Sequence, residues 1–134
     1  KMPLAHGERV FGRWEYIRYF MDNSIQVIQP DIGNAGGITE TKRICDMAYT
    51  FDVGVQIHTC ASHLLTPPSV QLEACIPNFV IHEQHMRSMN PSNQELTAKV
   101  VMPKNGYLDV TDDIGIGNEW SDKALASEDQ ITLN

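Results

Sequence analysis

The chain of 134 residues is 42% apolar and carries a formal net charge of −7. A single domain of this length can bury a hydrophobic core. The acidic balance argues against nucleic acid as a partner, because binding to phosphates requires clustered Lys and Arg. It argues equally against a polybasic contact with a membrane surface, and no apolar run approaches the roughly 18 residues that a membrane span needs.

The cysteines at positions 45, 60 and 75 are odd in number and lack the paired spacing of a metal site. This usage favours reduced thiols in a cytoplasmic protein over a disulfide framework. Cys45 and Cys75 fall on the apolar faces of predicted helices, so both are expected to be small buried hydrophobic residues. The first six residues contain no hydrophobic signal region.

Strands and helices alternate along the chain as far as Gln84. After a short strand before Gly7 and a helix at 14–21, the predicted elements are a strand at 25–29, a helix at 39–51, a strand at 53–57, a helix at 66–75 and a strand at 79–82. Thr66 is expected to cap its helix, with Pro67 at the first helical position. Such alternation with short links is typical of a parallel sheet. Farther on, strands are predicted at 97–102 and 106–110, with a weak helix at 122–126.

Each of the first four predicted strands is followed by a titratable or metal-ligating side chain. In chain order these are Glu8, Asp31, His58 and Glu83, separated by 23, 27 and 25 residues, which is the spacing of β/α units. Taken alone, an aspartate such as Asp31 is more often a turn residue than a catalytic one, and a histidine such as His58 more often has a structural role. Because parallel α/β sheets place their chemistry at the carboxyl ends of strands, the equivalent positions favour one shared site.

The chemistry of this site follows from the residue types. In a curled parallel sheet Asp31 and His58 lie side by side, and a carboxylate orients an imidazole and raises its basicity. The two are therefore predicted to form a dyad for proton transfer. Glu8, one strand away, offers only oxygen ligands, which suit a hard cation such as Mg²⁺. One carboxylate cannot hold this ion alone, so further ligands are expected elsewhere.

Several stretches resemble the C-terminal part of enolase-superfamily proteins, in the mandelate racemase/muconate lactonizing enzyme-like branch. They are residues 6–9, 29–31, 36–40, 57–58 and 77–84. Within that branch the chain is most similar to galactonate dehydratase-like acid-sugar (aldonate) dehydratases, on residues 7–9, 71–74 and 77–79. The resemblance is close over residues 3–84 and looser at 115–117. At residues 59–63 the chain departs from the proline-rich stretch of that pattern, so the acid sugar is not identified.

The resemblance implies an α/β fold, the C-terminal part of a modified (β/α)₇β TIM barrel with a segment that returns to an α+β capping domain. Residues 1–90 would form the C-terminal half of the barrel, and residues 91–134 an extension that packs on the barrel and capping domain. Two metal ligands and a lysine general base would precede Lys1. The chain is therefore expected to be a fragment that needs the rest of its barrel and is inactive alone; the family implies a homo-oligomer.

The resemblance also implies an Mg²⁺-dependent hydro-lyase that removes the proton α to a carboxylate and then the β-hydroxyl group. Glu8 would be the third carboxylate ligand of Mg²⁺. Asp31 and His58 would be the catalytic dyad, with His58 either the general acid for the departing hydroxyl or the base for a substrate of opposite configuration. Glu83 would hydrogen-bond the substrate carboxylate as it becomes an enediolate, and Arg9 and His85 are candidate substrate contacts.

Two other functions stay open on the sequence alone. One is a racemase or epimerase of the same superfamily, which would share the abstraction of the α-proton. The other is a non-catalytic relative or inert fragment, which would show neither turnover nor stabilisation by Mg²⁺.

Overall fold

The computed structural model describes residues 2–127 of the chain. Within this range three short parallel strands form one sheet in the order β1-β2-β3. The strands are β1 Ala5–His6, β2 Val27–Ile28 and β3 Gly54–Val55. Phe79 adds a further extended segment through one parallel bridge to Val55. The α/β class and the parallel sheet predicted from the sequence are confirmed.

Helices connect the strands and cover one face of the sheet. They are α1 Gly12–Met21, α2 Gly37–Thr50 and α3 Thr66–Ala74. A 3₁₀ helix follows at Met86–Met89, then α4 Pro91–Gln94 and α5 Asp122–Ser127. In the described part of the chain, no helix is long and apolar enough to cross a membrane.

The core lies between the sheet and these helices. Helix α2 buries Ile44, Cys45 and Ala48, a spacing that places the three side chains on one helical face. They pack in one cluster with Ile28 of β2 and Val55 of β3. Burial of this apolar stripe is what fixes α2 against the sheet, because helices of this length gain most of their stability from packing.

Some local expectations from the sequence are wrong. Cys75 is exposed, because it follows the last residue of α3, whereas Cys45 is buried as expected. Thr66 is the first residue of α3 rather than its cap, which is Leu65. The strands predicted at 97–102 and 106–110 are replaced by single antiparallel bridges, Thr97 with Trp120 and Lys104 with Tyr107. The helix predicted at 122–126 is confirmed as α5.

A buried histidine joins the loop after β3 to the C-terminal segment. His63 Nε2 lies 2.9 Å from the carbonyl oxygen of Ser88, and Nδ1 accepts from the backbone N–H of Val101 at 3.3 Å. Because a carbonyl oxygen can only accept, this pattern corresponds to the neutral ring with the proton on Nε2. Asn118 Nδ2 also donates to the His63 carbonyl oxygen. The loop that follows His58 is therefore tied to residues far along the chain.

The packing predicts unequal reactivity of two cysteines. Burial raises the pKa of the Cys45 thiol to about 12, so at about pH 8 it is neither ionised nor accessible, and the thiolate is the reactive form. We expect iodoacetamide to leave Cys45 unmodified in the folded protein and to alkylate exposed Cys75, as measured by peptide mass spectrometry. In urea both should react. Equal labelling of the two in the folded protein would contradict the packing of α2.

Candidate active site

Asp31 is a buried carboxylate at the carboxyl end of β2, with 6% of its surface exposed. Its Oδ1 accepts two backbone N–H groups, from Gly33 at 2.7 Å and from Asn34 at 3.2 Å. This is the local turn that Asp forms with residues just ahead of it. Because Oδ1 is fixed in this way, Oδ2 is directed away from the turn and is available to a neighbouring strand.

The sheet register brings His58 to that oxygen. Val27 pairs with Gly54 and Ile28 with Val55, and the same offset of 27 residues separates Asp31 from His58. The two side chains therefore lie at the same level on adjacent parallel strands. His58 Nδ1 lies 2.7 Å from Asp31 Oδ2. A carboxylate only accepts, so Nδ1 carries the proton of this hydrogen bond.

Glu8 approaches the other side of the same ring. Its Oε2 lies 3.0 Å from His58 Nε2, so the imidazole stands between two carboxylates. Both contacts are hydrogen bonds only when each ring nitrogen carries a proton. The turn before Glu8 is built tightly: Gly7 has φ +145°, and a Cβ there would lie 2.7 Å from Tyr16 Oη. Tyr16 donates to the Gly7 carbonyl oxygen at 2.7 Å, which holds this turn against α1.

The side chain of Glu83 joins the same group of strand ends by binding a backbone N–H group. Its Oε2 accepts from the N–H of Thr59, the residue after His58, at 3.3 Å. Arg9 is 85% exposed in its side chain and its Nε lies 3.6 Å from Glu8 Oε1, a surface contact that contributes little. His85 Nδ1 accepts from the backbone N–H of Arg87 at 3.1 Å and caps the 3₁₀ helix.

Glu8 can supply one oxygen ligand to a metal ion. Its side chain is 51% exposed at the open end of the sheet. Among residues 2–127 there is no group of three His, Cys, Asp or Glu side chains placed to hold a metal. Glu8 therefore fits as one oxygen ligand of a hard cation, and the described residues do not contribute the other ligands that such an ion needs.

The site also involves residues that the sequence did not single out. Thr59 supplies the N–H that meets Glu83, and Asn34 Nδ2 donates to the Glu8 carbonyl oxygen at 3.3 Å. Glu73 of α3 forms a buried pair with His82, with Oε2 to Nδ1 at 2.7 Å. In the sequence, Glu73 could have been noticed as the only charged residue in the stretch 64–82. The sequence does not indicate, however, that its partner is His82.

Comparison with known proteins identifies the family of this chain. The family model described as enolase C-terminal domain-like matches residues 1–124. A D-galactonate dehydratase of Pectobacterium atrosepticum is 36% identical over 85 residues, which are 63% of this chain and 22% of that protein.

Two solved structures extend the match over nearly the whole chain. A member of the enolase superfamily from Salmonella Typhimurium superposes with a TM-score of 0.96 at 42% identity, covering 100% of this chain and 34% of that one. An enolase from Agrobacterium radiobacter bound to Na and L-malate gives a TM-score of 0.83 at 30% identity, covering 98% and 37%.

The chain thus belongs to the enolase C-terminal domain-like family, whose fold is that of a TIM barrel. It spans about a third of the length of the solved structures that it matches. The predicted membership of the enolase superfamily, and the match to the C-terminal portion of its members, are confirmed.

The hydrogen bonds of Asp31 predict its contribution to stability. We expect Asp31→Ala to lower the free energy of unfolding by about 2–3 kcal/mol, because it removes bonds between a buried carboxylate and three donors. Asp46→Ala is the matched control: Asp46 pairs with Lys42 on the exposed face of α2, and its loss should cost about 0.5 kcal/mol or less. Urea denaturation measures both. Equal losses would contradict the anchoring of Asp31.

Proposed function

We propose that the intact protein is an Mg²⁺-dependent acid-sugar (aldonate) dehydratase, to which this chain contributes part of the active site. The observation that carries the proposal is the imidazole of His58 held between the carboxylates of Asp31 and Glu8 at the ends of adjacent parallel strands. The relative named D-galactonate dehydratase supports the class of reaction and substrate.

In the proposed reaction His58 is the general acid. Asp31 occupies Nδ1, so Nε2 is the ring atom left to give a proton to a bound substrate; its present partner, the half-exposed Glu8 carboxylate, would bind the metal ion instead. After a base contributed by the rest of the intact protein takes the α-proton, Nε2–H gives its proton to the β-hydroxyl, which leaves as water. Asp31 keeps the imidazole oriented through its hydrogen bond to Nδ1. For a substrate of opposite configuration, the neutral ring would act as the base.

The other residues bind and polarise the substrate. Glu8 would be one of the ligands of Mg²⁺, an ion that when bound stabilises the charge developing on the substrate carboxylate. Glu83, oriented by the N–H of Thr59, is proposed to share a hydrogen bond with that carboxylate as the enediolate forms. Arg9 and His85 are proposed as further contacts of the polyhydroxyl tail.

The proposed organisation requires the rest of a barrel. Residues 1–90 would form its C-terminal half, and residues 91–134 the extension toward a capping domain. The described surface supports the need for further strands, because both outer strands of the sheet expose apolar side chains. Leu4 is exposed beside β1, and Val80 and Ile81 are exposed beside Phe79. We further propose a cytoplasmic homo-oligomer, with the isolated chain inactive.

The reaction can be tested on the full-length protein that contains this chain. Incubated with a panel of aldonates that includes D-galactonate, it should form a 2-keto-3-deoxy acid. EDTA should abolish the activity and added Mg²⁺ should restore it, because the carboxylate site needs a hard cation. Solvent deuterium incorporated at the α-carbon without loss of water would indicate an epimerase instead. If no aldonate of the panel gives either a keto-acid product or deuterium exchange, catalysis of this type is refuted.

The role of His58 predicts a selective loss. His58→Gln should lower kcat/KM by about 10³-fold, within the usual contribution of a positioned general acid or base. His6→Gln is the control, because His6 is an exposed histidine on β1 that packs edge-on against Tyr19; it should retain activity within about threefold. Steady-state kinetics on the aldonate dehydrated by the wild type measures both. Similar losses in the two variants would contradict the assignment.

A further inference from the structure

A hydrogen bond between two glutamine side chains joins the strand ends just before the Asp31–His58 dyad. Gln29 Nε2 donates to Gln56 Oε1 at 2.8 Å, and both side chains are partly buried. The two residues are separated by the same offset of 27 positions as Asp31 and His58. Because side chains two residues apart on an extended strand point to the same face, the amide pair lies beneath the dyad on the same face of the sheet.

This bond lies where the backbone ladder between β2 and β3 is interrupted. Gly54 donates to the Gln26 carbonyl oxygen at 2.9 Å, and Gln56 donates to the Ile28 carbonyl oxygen at 3.0 Å. In a parallel ladder the bonds are evenly spaced, so the next bond would run from the N–H of residue 30 to the Gln56 carbonyl oxygen. Residue 30 is proline, which has no N–H. This rung of the ladder therefore cannot form.

The dyad stands immediately beyond the missing rung. Among residues 2–127, one backbone hydrogen bond joins the two strand ends past this point, from the His58 N–H to the Pro30 carbonyl oxygen at 3.0 Å. The contact of 2.7 Å between Asp31 Oδ2 and His58 Nδ1 requires that the two strand ends keep a constant separation. The bond between Gln29 and Gln56 supplies a link between the strands where the backbone cannot.

We propose that Gln29 and Gln56 are positioning residues that hold the two strand ends at the separation that the dyad needs. The proposal rests on the dehydratase function proposed above, and neither amide touches the reacting atoms. A hydrogen bond between neutral side chains adds little to the free energy of unfolding, because both groups bind water in the unfolded chain. Its main effect here is on alignment, since it replaces a rung one residue before the groups that transfer the proton.

The first test compares variants of the full-length protein. Gln56→Met keeps the length of the side chain but removes the amide, and it should lower kcat about tenfold because the reacting groups lose alignment. KM should stay within about threefold, since the loss concerns the transition state. Gln26→Met is the control: Gln26 Oε1 accepts the N–H of Leu4 at 3.0 Å and so also joins neighbouring strands, but roughly 17 Å from Asp31. It should keep kcat within about twofold.

A double-mutant cycle, measured below the melting temperatures of all variants, assigns the effect to the bond itself. Gln29→Met should lower kcat by about the same factor as Gln56→Met, and the double variant should lose no more than about 20-fold, because either substitution already removes the shared bond. Independent effects would multiply to about 100-fold. That larger loss, wild-type kcat in both single variants, or an equal loss in Gln26→Met would overturn the positioning role.

Hydrogen–deuterium exchange separates this proposal from the proposed reaction, because it needs no turnover. The peptide 56–60 contains the His58 N–H, whose bond to Pro30 is the backbone link beside the dyad. In Gln29→Met and Gln56→Met the exchange of this N–H should accelerate about tenfold or more, because the strand ends separate more often, whereas Gln26→Met should leave it near the wild-type rate. An inactive wild type with this change would refute only the reaction. Unchanged exchange in the first two variants would refute the positioning role, whatever the activity.

Discussion

The hydrogen bond between Asp31 and His58 is the contact on which the rest of the site depends. It forms because β2 and β3 pair in parallel at an offset of 27 residues, which brings the two strand ends to the same level. Asp31 itself cannot turn, since its other oxygen accepts the N–H groups of Gly33 and Asn34. The imidazole is therefore oriented by the Asp31 side chain, which the turn after β2 holds in place, and its second nitrogen is directed to Glu8.

The sequence could predict this arrangement because it depends on short-range patterns. Each strand is a brief apolar run that ends in a polar side chain, and the regular spacing of Asp31 and His58 shows that they occupy equivalent units. The helices could be predicted equally well from the spacing of apolar residues: the apolar face of α2, around Ile44 and Ala48, is the face that is buried in the structure. Strand ends were less predictable, because β2 and β3 are regular strands over only two residues each. Beyond them the two segments stay joined by single backbone hydrogen bonds, such as that from the His58 N–H to the Pro30 carbonyl oxygen at 3.0 Å.

Other features depend on contacts that no local pattern encodes. The pair of Glu73 and His82 joins a helix to a strand across nine residues, and neither side chain has a periodic reason to be buried. The segment after Glu83 forms single bridges rather than strands, since its order comes from long-range bonds such as those of His63 with Ser88 and Val101. A sequence pattern can indicate that such a segment is polar or extended, but not which distant group satisfies it.

The incomplete features of the molecule have one common explanation under the proposed barrel. Leu4 on one side of the sheet and Ile81 on the other are exposed apolar side chains on strand edges, which invite pairing with further strands. Glu8 would offer one ligand of the proposed cation site, and no group of three such ligands lies among the described residues. In a closed barrel the strands that cover the two edges belong to one contiguous half, and their carboxyl ends open on the same side as Glu8. The other half of the proposed barrel would therefore cover both edges and bring the remaining ligands, whereas two unrelated partners would have to meet these demands separately.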